Sequence, residues 1–246
     1  MIRGQNAIVT GAKGGIGRET VRLLAESGVN VWACMRNKDD AFDAFADKLC
    51  AENDVNIEPV YFDMSNEPEI KESIKFIIQQ KKPIDILINN AGVAHGALLQ
   101  MTSMQTMKSV FEINFFSQIL IIQMVSRVMM RQKSGSIVNI SSVAGLDGDA
   151  GYTAYGSSKA ALAFATRTIA KELAPYNIRV NAVAPGLTQT HMMELMEADA
   201  KSGMLSDAAM KRAGLPQEIA EAIVYLASEK ASFITGQILR VDGGLK

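Results

Sequence analysis

The chain is poor in cysteine and carries no excess charge of either sign. Its two cysteines, Cys34 and Cys50, match no metal-ligand spacing, which argues against a structural zinc site or a disulfide framework. There are 25 Lys and Arg against 26 Asp and Glu, a net charge of -1, so a nucleic-acid partner is not expected. With 48% hydrophobic residues, 21% charged residues and only 6 Pro, the composition is typical of a compact globular protein.

Long hydrophobic runs and linkers are missing as well. The most apolar stretch, residues 115–130, is interrupted by five polar residues, which predicts a buried helix and not a membrane span. The first residues show no basic region followed by an apolar core and a cleavage site, so we expect a cytoplasmic protein. No Pro/Gly/Ser-rich tract or fixed-period repeat divides residues 1–246, which favours a single domain.

Short apolar runs alternate with segments of helical period along the whole chain. This alternation predicts repeated βα units, and hence an α/β fold with a Rossmann-type, doubly wound parallel sheet of about seven strands and helices on both faces. The predicted strands are 6–10, 30–34, 57–62, 84–89, 136–141, 179–184 and 237–241. The predicted helices are 16–27, 39–52, 67–80, 102–131 with a break, 153–175 and 216–228.

One long stretch, at about residues 187–214, contains no predicted strand. A connection of this length is a candidate lid. It is rich in methionine, whose flexible apolar side chain suits an adaptable pocket. The methionines are Met192, Met193, Met196, Met204 and Met210. Alternatively, these side chains pack a small helical hairpin onto the body of the protein.

The first strand ends in a glycine-rich turn that runs directly into a helix. Such glycines let the backbone approach a pyrophosphate, which then lies at the helix N-terminus. The spacing differs from G-x-G-x-x-G, with three residues between Gly11 and Gly15 instead of one. The strand before it and the helix after it nevertheless predict a dinucleotide site. Its residues are Thr10, Gly11, Lys13, Gly15, Ile16 and Gly17.

Cationic residues lie where the adenosine ribose of a dinucleotide is read. The second strand runs into Arg36 without the acidic residue that would hold a free 2′-hydroxyl, and Lys13 lies in the glycine-rich turn. We therefore predict NADP(H) over NAD(H), although both cations could be ordinary solvated residues. Asp63, after the third strand, could accept a hydrogen bond from the adenine amino group or cap the next helix. The small and polar Asn90, Ala91 and Gly92 follow the fourth strand and suit a cofactor edge.

A tyrosine and a lysine four residues apart lie in the predicted helix 153–175. Residues at i and i+4 share a helix face, so Tyr155 and Lys159 project into the same space. An ammonium group beside a phenol stabilises the phenolate. This pair predicts a tyrosine whose pKa is lowered toward neutral pH, where a general acid works best. The pair also occurs by chance on solvated helix faces, so it requires support from other motifs.

That support comes from a series of motifs in a fixed order. They are the turn at 10–17, Asn89-Asn90-Ala91-Gly92, Asn114, Ser142 thirteen residues before Tyr155, Lys159, Pro185-Gly186, and the closing Gly236-Gln237 and Asp242-Gly243-Gly244. Over nearly its whole length the chain resembles the short-chain dehydrogenase/reductases, and within them the 3-oxoacyl-acyl-carrier-protein reductases. The resemblance implies a cofactor-dependent hydride transfer to a carbonyl compound, and commonly a homotetramer.

The resemblance also implies a role for each catalytic residue. Tyr155 would give a proton to the carbonyl oxygen, and Ser142 would hydrogen-bond the same oxygen. Lys159 would lower the pKa of Tyr155 and hold the nicotinamide ribose. Asn114 would support a water that relays protons to Lys159, although a helical Asn is more often a satisfied core residue.

After the sixth strand the resemblance assigns a second group of cofactor contacts. Pro185 and Gly186 lead into the segment that meets the nicotinamide carboxamide, with Thr190 as the first choice for the hydroxyl contact and Thr188 as the second.

Histidine and basic positions limit the assignment of a substrate. His95 could face the substrate or be solvated, and neither His95 nor His191 is placed for a Ser–His–Asp triad, which makes hydrolysis unlikely. The resembled reductases carry Arg-Asp-Asn where this chain has His95-Gly96-Ala97. They also have basic residues at the positions of Lys133 and Tyr176, of which only the first is basic here. The hypotheses are therefore a 3-oxoacyl thioester, another secondary alcohol, sugar or steroid-like carbonyl, and a non-catalytic dinucleotide-binding regulator.

Overall fold

The computed structural model describes residues 2–194, 196 and 198–245. Within them, seven strands form one parallel sheet in the order β3-β2-β1-β4-β5-β6-β7. The strands are β1 Asn6–Thr10, β2 Asn30–Met35, β3 Ile57–Tyr61, β4 Ile86–Asn89, β5 Gly135–Ile140, β6 Ile178–Pro185 and β7 Ile238–Val241. The predicted fold class is confirmed. The strand order reverses between β1 and β4, the point at which open α/β sheets bind ligands.

Helices cover both faces of this sheet. They are α1 Gly15–Glu26, α2 Asp40–Asn53, α3 Glu67–Gln79, α4 Met104–Phe111, α5 Ser117–Gln132, α6 Thr153–Leu173, α7 His191–Glu194, α8 Ala198–Asp207 and α9 Pro216–Ala227. Helices α1, α2 and α9 enclose one apolar core with Val9, Ile88 and Val183. Helices α3, α5 and α6 enclose the other with Ile8, Leu87 and Ile137. Neighbouring strand residues face opposite cores because side chains alternate along a strand, so the strands are apolar throughout.

Most of the predicted segments are correct to within about two residues, with one informative difference. The predicted break within 102–131 is a π-helical turn, Glu112–Phe116, which joins α4 to α5 without interrupting the helical path. A π-helical turn holds one extra residue and is frequently found at functional sites. The lid segment, which has no predicted strand, contains the two short helices α7 and α8.

The long helix Met104–Gln132 has the length and hydropathy of a membrane span by composition alone. Core helices of globular proteins pass the same test. One side of it is buried on the sheet: Ile121, Ile122, Val125 and Met129 belong to the second core. The amide of Gln118 donates to the carbonyl of Ala91 at 2.7 Å. These contacts agree with the prediction of a core helix.

Candidate active site

The glycine-rich turn is built by close backbone approaches. Gly15 has φ +53, a left-handed conformation that favours glycine, and a Cβ there would lie 3.0 Å from the Thr190 side chain. A Cβ on Gly17 would lie 2.1 Å from the carbonyl oxygen of Gly11, so no side chain fits. The turn therefore presents bare backbone at the N-terminus of α1, where free N–H groups and the helix dipole favour an anion.

Thr10 and Asn90 hold this turn against the end of β4. The Thr10 hydroxyl accepts hydrogen bonds from the N–H groups of Asn90 and Ala91, both at 3.0 Å. In return the Asn90 amide donates to the carbonyls of Thr10 at 3.0 Å and Gly11 at 3.1 Å. The sequence groups these residues as cofactor contacts. In the structure, Thr10 and Asn90 also shape the glycine-rich turn itself.

A cavity of about 170 Å³ lies next to this junction at the reversal of strand order. Its lining combines the glycine-rich turn with apolar side chains from β2 and from the segments after β3 and β4, as a nucleoside requires. The lining residues include Thr10, Met35, Arg36, Phe62, Ala91 and Gly92. The glycine cradle and this cavity fit a dinucleotide.

Both cations predicted to read the adenosine ribose are ion-paired. Arg36 Nε lies 3.0 Å from Asp63 Oδ2, and Lys13 Nζ lies 2.8 Å from Asp39 Oδ2. Asp63 accepts hydrogen bonds from the N–H and the hydroxyl of Ser65. These bonds, and to a smaller extent the Arg36 charge, hold the pKa of the Asp63 carboxyl below its ordinary value. The alternative that Asp63 caps the next helix is wrong, because Asn66 is the N-cap of α3.

The loop after β5 carries Ser142 and packs directly on α6. A Cβ on Gly145 would lie 2.7 Å from the backbone of Lys159 and Ala160, and one on Gly156 would lie 2.5 Å from the Ala144 carbonyl oxygen. These two contacts leave no room for side chains, which fixes Ser142 relative to the first turns of α6. The distant positions 142 and 155 meet in this way.

Tyr155 and Lys159 share one side of α6, as predicted, with Lys159 Nζ 5.9 Å from the Tyr155 ring centroid. The predicted effect on acidity is wrong in direction. Burial raises the pKa of Tyr155 above its ordinary value, and this outweighs the lowering effect of the nearby Ser142 hydroxyl. Burial also lowers the pKa of Lys159 to about 8. In both groups the largest cause is desolvation, which disfavours the charged form.

Asn114 lies in the π-helical turn and is fully buried. Its amide donates to the Val93 carbonyl at 2.9 Å and to the Ser158 hydroxyl at 3.0 Å, while its oxygen accepts from the Val93 N–H at 2.9 Å. A Cβ on Gly92 would lie 3.1 Å from Asn114 Oδ1 and 3.3 Å from Lys159 Nζ. The space beside Gly92 therefore joins Asn114 to Lys159.

The segment after β6 returns to the glycine-rich turn. A cleft of about 560 Å³ is lined by Gly15, Thr190 and Met193, among others. Thr188 is buried and its hydroxyl donates to the carbonyl of Gly186 at 3.0 Å, while the Thr190 hydroxyl donates to the carbonyl of Thr188 at 3.3 Å. Thr190 faces the cleft, which favours it over Thr188 for a cofactor contact. Gly186 itself packs on Asp242, where a Cβ would lie at 2.8 Å.

The methionines of the lid do not line one common pocket. Met193 borders the cleft, whereas Met192 and Met210 are exposed and Met210 packs at Gly243. The two predicted alternatives, a pocket lining and simple packing, therefore each describe part of this set.

The histidines differ in their surroundings. His95 is partly buried, with Nε2 3.4 Å from the Thr102 hydroxyl, on the loop that passes the start of α6. His191 is exposed and lies 3.2 Å from Glu194. Neither histidine contacts Ser142 through a hydrogen bond among the described residues, so the prediction that they form no triad stands.

Sequence reasoning missed Ser158 and Tyr152. Ser158 anchors the Asn114 amide. Tyr152 precedes α6, and its ring centroid lies 6.3 Å from that of Tyr155. Its spacing of three residues from Tyr155 was the available signal, since residues i and i+3 are neighbours on a helix.

The fold and the site together define a nicotinamide-dependent oxidoreductase. The glycine-rich cradle for a dinucleotide lies where the strand order reverses, next to the group formed by Ser142, Tyr155, Lys159 and Asn114. Comparisons with known proteins agree. A family model described as enoyl-(acyl carrier protein) reductase matches residues 11–246. A 3-oxoacyl-[acyl-carrier-protein] reductase of Thermotoga maritima is 38% identical over 99% of this chain and 98% of its own length.

Two solved structures extend the agreement. A short chain dehydrogenase/reductase family protein superimposes with a TM-score of 0.81 at 33% identity, covering 99% of this chain and 97% of the other. A chain described as ribose-5-phosphate isomerase from Brucella melitensis 16M gives a TM-score of 0.88 at 33% identity, covering 98% and 92%. The chain belongs to the short-chain dehydrogenase/reductase family and is an NAD(P)-dependent oxidoreductase.

Proposed function

We propose that the protein is an NADP(H)-dependent reductase of 3-oxoacyl thioesters, producing 3-hydroxyacyl thioesters. The observation that carries the proposal is the group formed by Asn114, Ser142, Tyr155 and Lys159 at the strand edge that bears the dinucleotide cradle. The 38% identity with a 3-oxoacyl-[acyl-carrier-protein] reductase over nearly the full length supports the substrate class.

Each catalytic residue has a role that its surroundings support. Tyr155 has a raised pKa, so at neutral pH its phenol holds the proton that it gives to the carbonyl oxygen. Ser142 donates a hydrogen bond to the same oxygen as charge develops there. Lys159 orients the nicotinamide ribose, and with a pKa of about 8 it can exchange a proton near neutral pH. Asn114 holds a water that resupplies this proton, beside the space at Gly92.

The cofactor contacts divide into three parts. The diphosphate lies at the backbone of Gly11, Gly15, Ile16 and Gly17. The adenosine lies along Arg36, Asp63, Asn90, Ala91 and Gly92, and Lys13 and Arg36 favour a 2′-phosphate once their carboxylate partners are exchanged for it. The nicotinamide end meets Pro185, Gly186 and Thr190, with Thr188 positioning that segment. When bound, the cofactor supplies the hydride.

A carbonyl substrate is favoured over an enoyl substrate, although the matching family model bears the name of an enoyl reductase. Ser142 and Tyr155 converge on one point, which suits an oxygen that gains charge and a proton during the reaction. An isomerase, the description carried by the Brucella structure, would not consume a reduced cofactor. A second candidate is the reduction of another ketone or sugar, which the small Gly96 and Ala97 beside the site would admit.

The wider setting is proposed on the same basis. Residues 1–246 form one NAD(P)-binding domain with a lid at about 187–214. The protein acts in the cytoplasm as a homotetramer without a nucleic-acid or membrane partner. Three exposed phenylalanines support burial between subunits: Phe116 at the end of the π-helical turn, Phe164 on α6 and Phe233 before β7. A carrier protein delivers the substrate.

The test measures NADPH oxidation with an acetoacetyl thioester, comparing wild type with Tyr155→Phe. Loss of a general acid lowers the rate by roughly 10²–10⁴-fold. A crotonyl thioester, ribose 5-phosphate and a panel of monoketones are measured in parallel. Reduction of the acetoacetyl thioester that the mutation abolishes supports the proposal. Preferred turnover of the crotonyl thioester, or of monoketones alone, would refute it.

A further inference from the structure

A second tyrosine stands beside the catalytic one and has no place in the reaction described so far. Gly151 has φ +87, a left-handed conformation that turns the chain into α6 and makes Tyr152 the residue just before the helix. The Tyr152 and Tyr155 rings are tilted by 58° with their centroids 6.3 Å apart. The two rings therefore lie side by side at the start of α6.

The opposite side of Tyr152 is closed by the loop after β4. The Ala97 N–H donates to the Gly151 carbonyl at 2.9 Å, which joins this loop to the turn before α6. The nearest heavy atom to a Cβ built on Gly96 is Tyr152 Cε1, at 4.0 Å. The Tyr152 ring thus lies between Gly96 and Tyr155 as one wall of the site.

The Tyr152 hydroxyl makes no hydrogen bond to any residue that the structure describes, and it reaches solvent although the ring is partly buried. Burial, followed by the nearby Asp149 charge, raises the pKa of this phenol, so the hydroxyl keeps its proton at neutral pH. The hydroxyl is therefore a donor that the carbonyl oxygen of a bound substrate can take over from water.

We propose that Tyr152 donates a hydrogen bond to the second carbonyl of the substrate, the thioester oxygen of a 3-oxoacyl thioester, while Tyr155 and Ser142 hold the ketone oxygen. This inference rests on the proposed function and deepens it. A 1,3-dicarbonyl compound presents two acceptors a short distance apart, and the two tyrosines at the start of α6, with ring centroids 6.3 Å apart, offer a donor for each. Tyr152 is then a specificity residue, which distinguishes 3-oxoacyl compounds from simple ketones.

The experiment pairs an enzyme variant with a substrate variant. Tyr152→Phe keeps the ring against Gly96 and removes only the hydroxyl. The two substrates are an acetoacetyl thioester and the 3-oxobutyl thioether of the same thiol, in which a methylene replaces the second carbonyl. Tyr225→Phe, at an exposed position on α9, is the matched control. The readouts are kcat/KM for both substrates and the Kd for NADPH.

Loss of one neutral hydrogen bond corresponds to a decrease of roughly 3- to 10-fold. We expect Tyr152→Phe to lower kcat/KM by that factor for the thioester and by less than about 2-fold for the thioether, with an unchanged Kd for NADPH. An equal decrease for both substrates, or no decrease for either, would overturn the inference while the proposed function stands. If wild type reduces neither substrate, the proposed function fails and the inference fails with it.

Discussion

Lys159 donates a hydrogen bond from Nζ to the backbone carbonyl of Ile140 at 2.8 Å, and this is the only protein partner of its ammonium group among the described residues. A single neutral acceptor does not replace the hydration that the charge loses on burial. The pKa of Lys159 therefore falls to about 8, from 10.5 in an exposed lysine. The buried ammonium group of Lys159 therefore lowers the stability of the folded protein. The first two predictions concern this loss of stability and the neighbouring Gly92.

The first prediction concerns stability as a function of pH. Between pH 8 and 10.5 the unfolded chain holds a proton on Lys159 that the folded chain has released, so the lysine's contribution to stability rises with pH in this window. Integrated over the window, the gain is on the order of 3 kcal/mol. Urea unfolding of wild type and of Lys159→Met at pH 7 and pH 10 isolates the contribution of Lys159 to the free energy of unfolding. Wild type should gain stability relative to the variant at pH 10, and parallel behaviour of the two proteins would contradict the lowered pKa.

Gly92→Ala should impair catalysis by occupying the space between Asn114 and Lys159. The added methyl group would lie 3.1 Å from Asn114 Oδ1 and 3.3 Å from Lys159 Nζ, where a relay water would otherwise fit. We expect kcat to decrease by about 10-fold or more, the loss of a proton-transfer contribution. Gly148→Ala is the control, because nothing lies within 4 Å of its Cβ position. Equal rates for the two variants would contradict a role for this space.

Ser142→Ala should lower the rate if Ser142 is, as proposed, the second donor to the developing oxyanion. The buried Ser142 side chain accepts from the Ala144 N–H at 3.2 Å and interacts with the Tyr155 hydroxyl, so both hydroxyls can meet the same substrate oxygen. Loss of such a donor typically lowers kcat by about 10²–10³-fold. Stopped-flow measurement of the hydride-transfer step would give this number directly. A larger effect on KM than on kcat would instead indicate a role in substrate binding.

Arg36→Gln should weaken NADPH binding selectively. The variant would lose the charge-assisted hydrogen bond that we propose between Arg36 and a 2′-phosphate, and Asp63 would be left without its cation. We expect the Kd for NADPH to increase by about 10-fold and that for NADH to change by less than about 2-fold. Lys38→Gln is the control, since Lys38 lies in the same loop but pairs with Asp40 at 3.5 Å. Fluorescence titration checks both; an equal change for the two cofactors would show that Asp63 neutralises Arg36 completely.

The sequence by itself was sufficient for the architecture. Apolar strands such as Ala7–Val9 and Ile86–Ile88 are buried on both faces, and this pattern identifies a parallel sheet covered by helices. The spacing of Tyr155 and Lys159 identified a shared helix face, because the helical repeat is a local property. The glycine-rich turn was equally recognisable from the sequence, because its chemistry depends on residues that are adjacent in the chain.

The tertiary structure decided the charge states of the residues in the site and the contacts that enclose it. Desolvation is the sum over everything packed around a group, so the raised pKa of Tyr155 could not be read from its neighbour Lys159. The π-helical turn at Asn114, the ion pairs of Arg36 and Lys13, and the place of Tyr152 against Gly96 all depend on contacts between distant segments. Local pattern fixes which elements form; the packing of those elements sets the charge states and partners of the side chains that react.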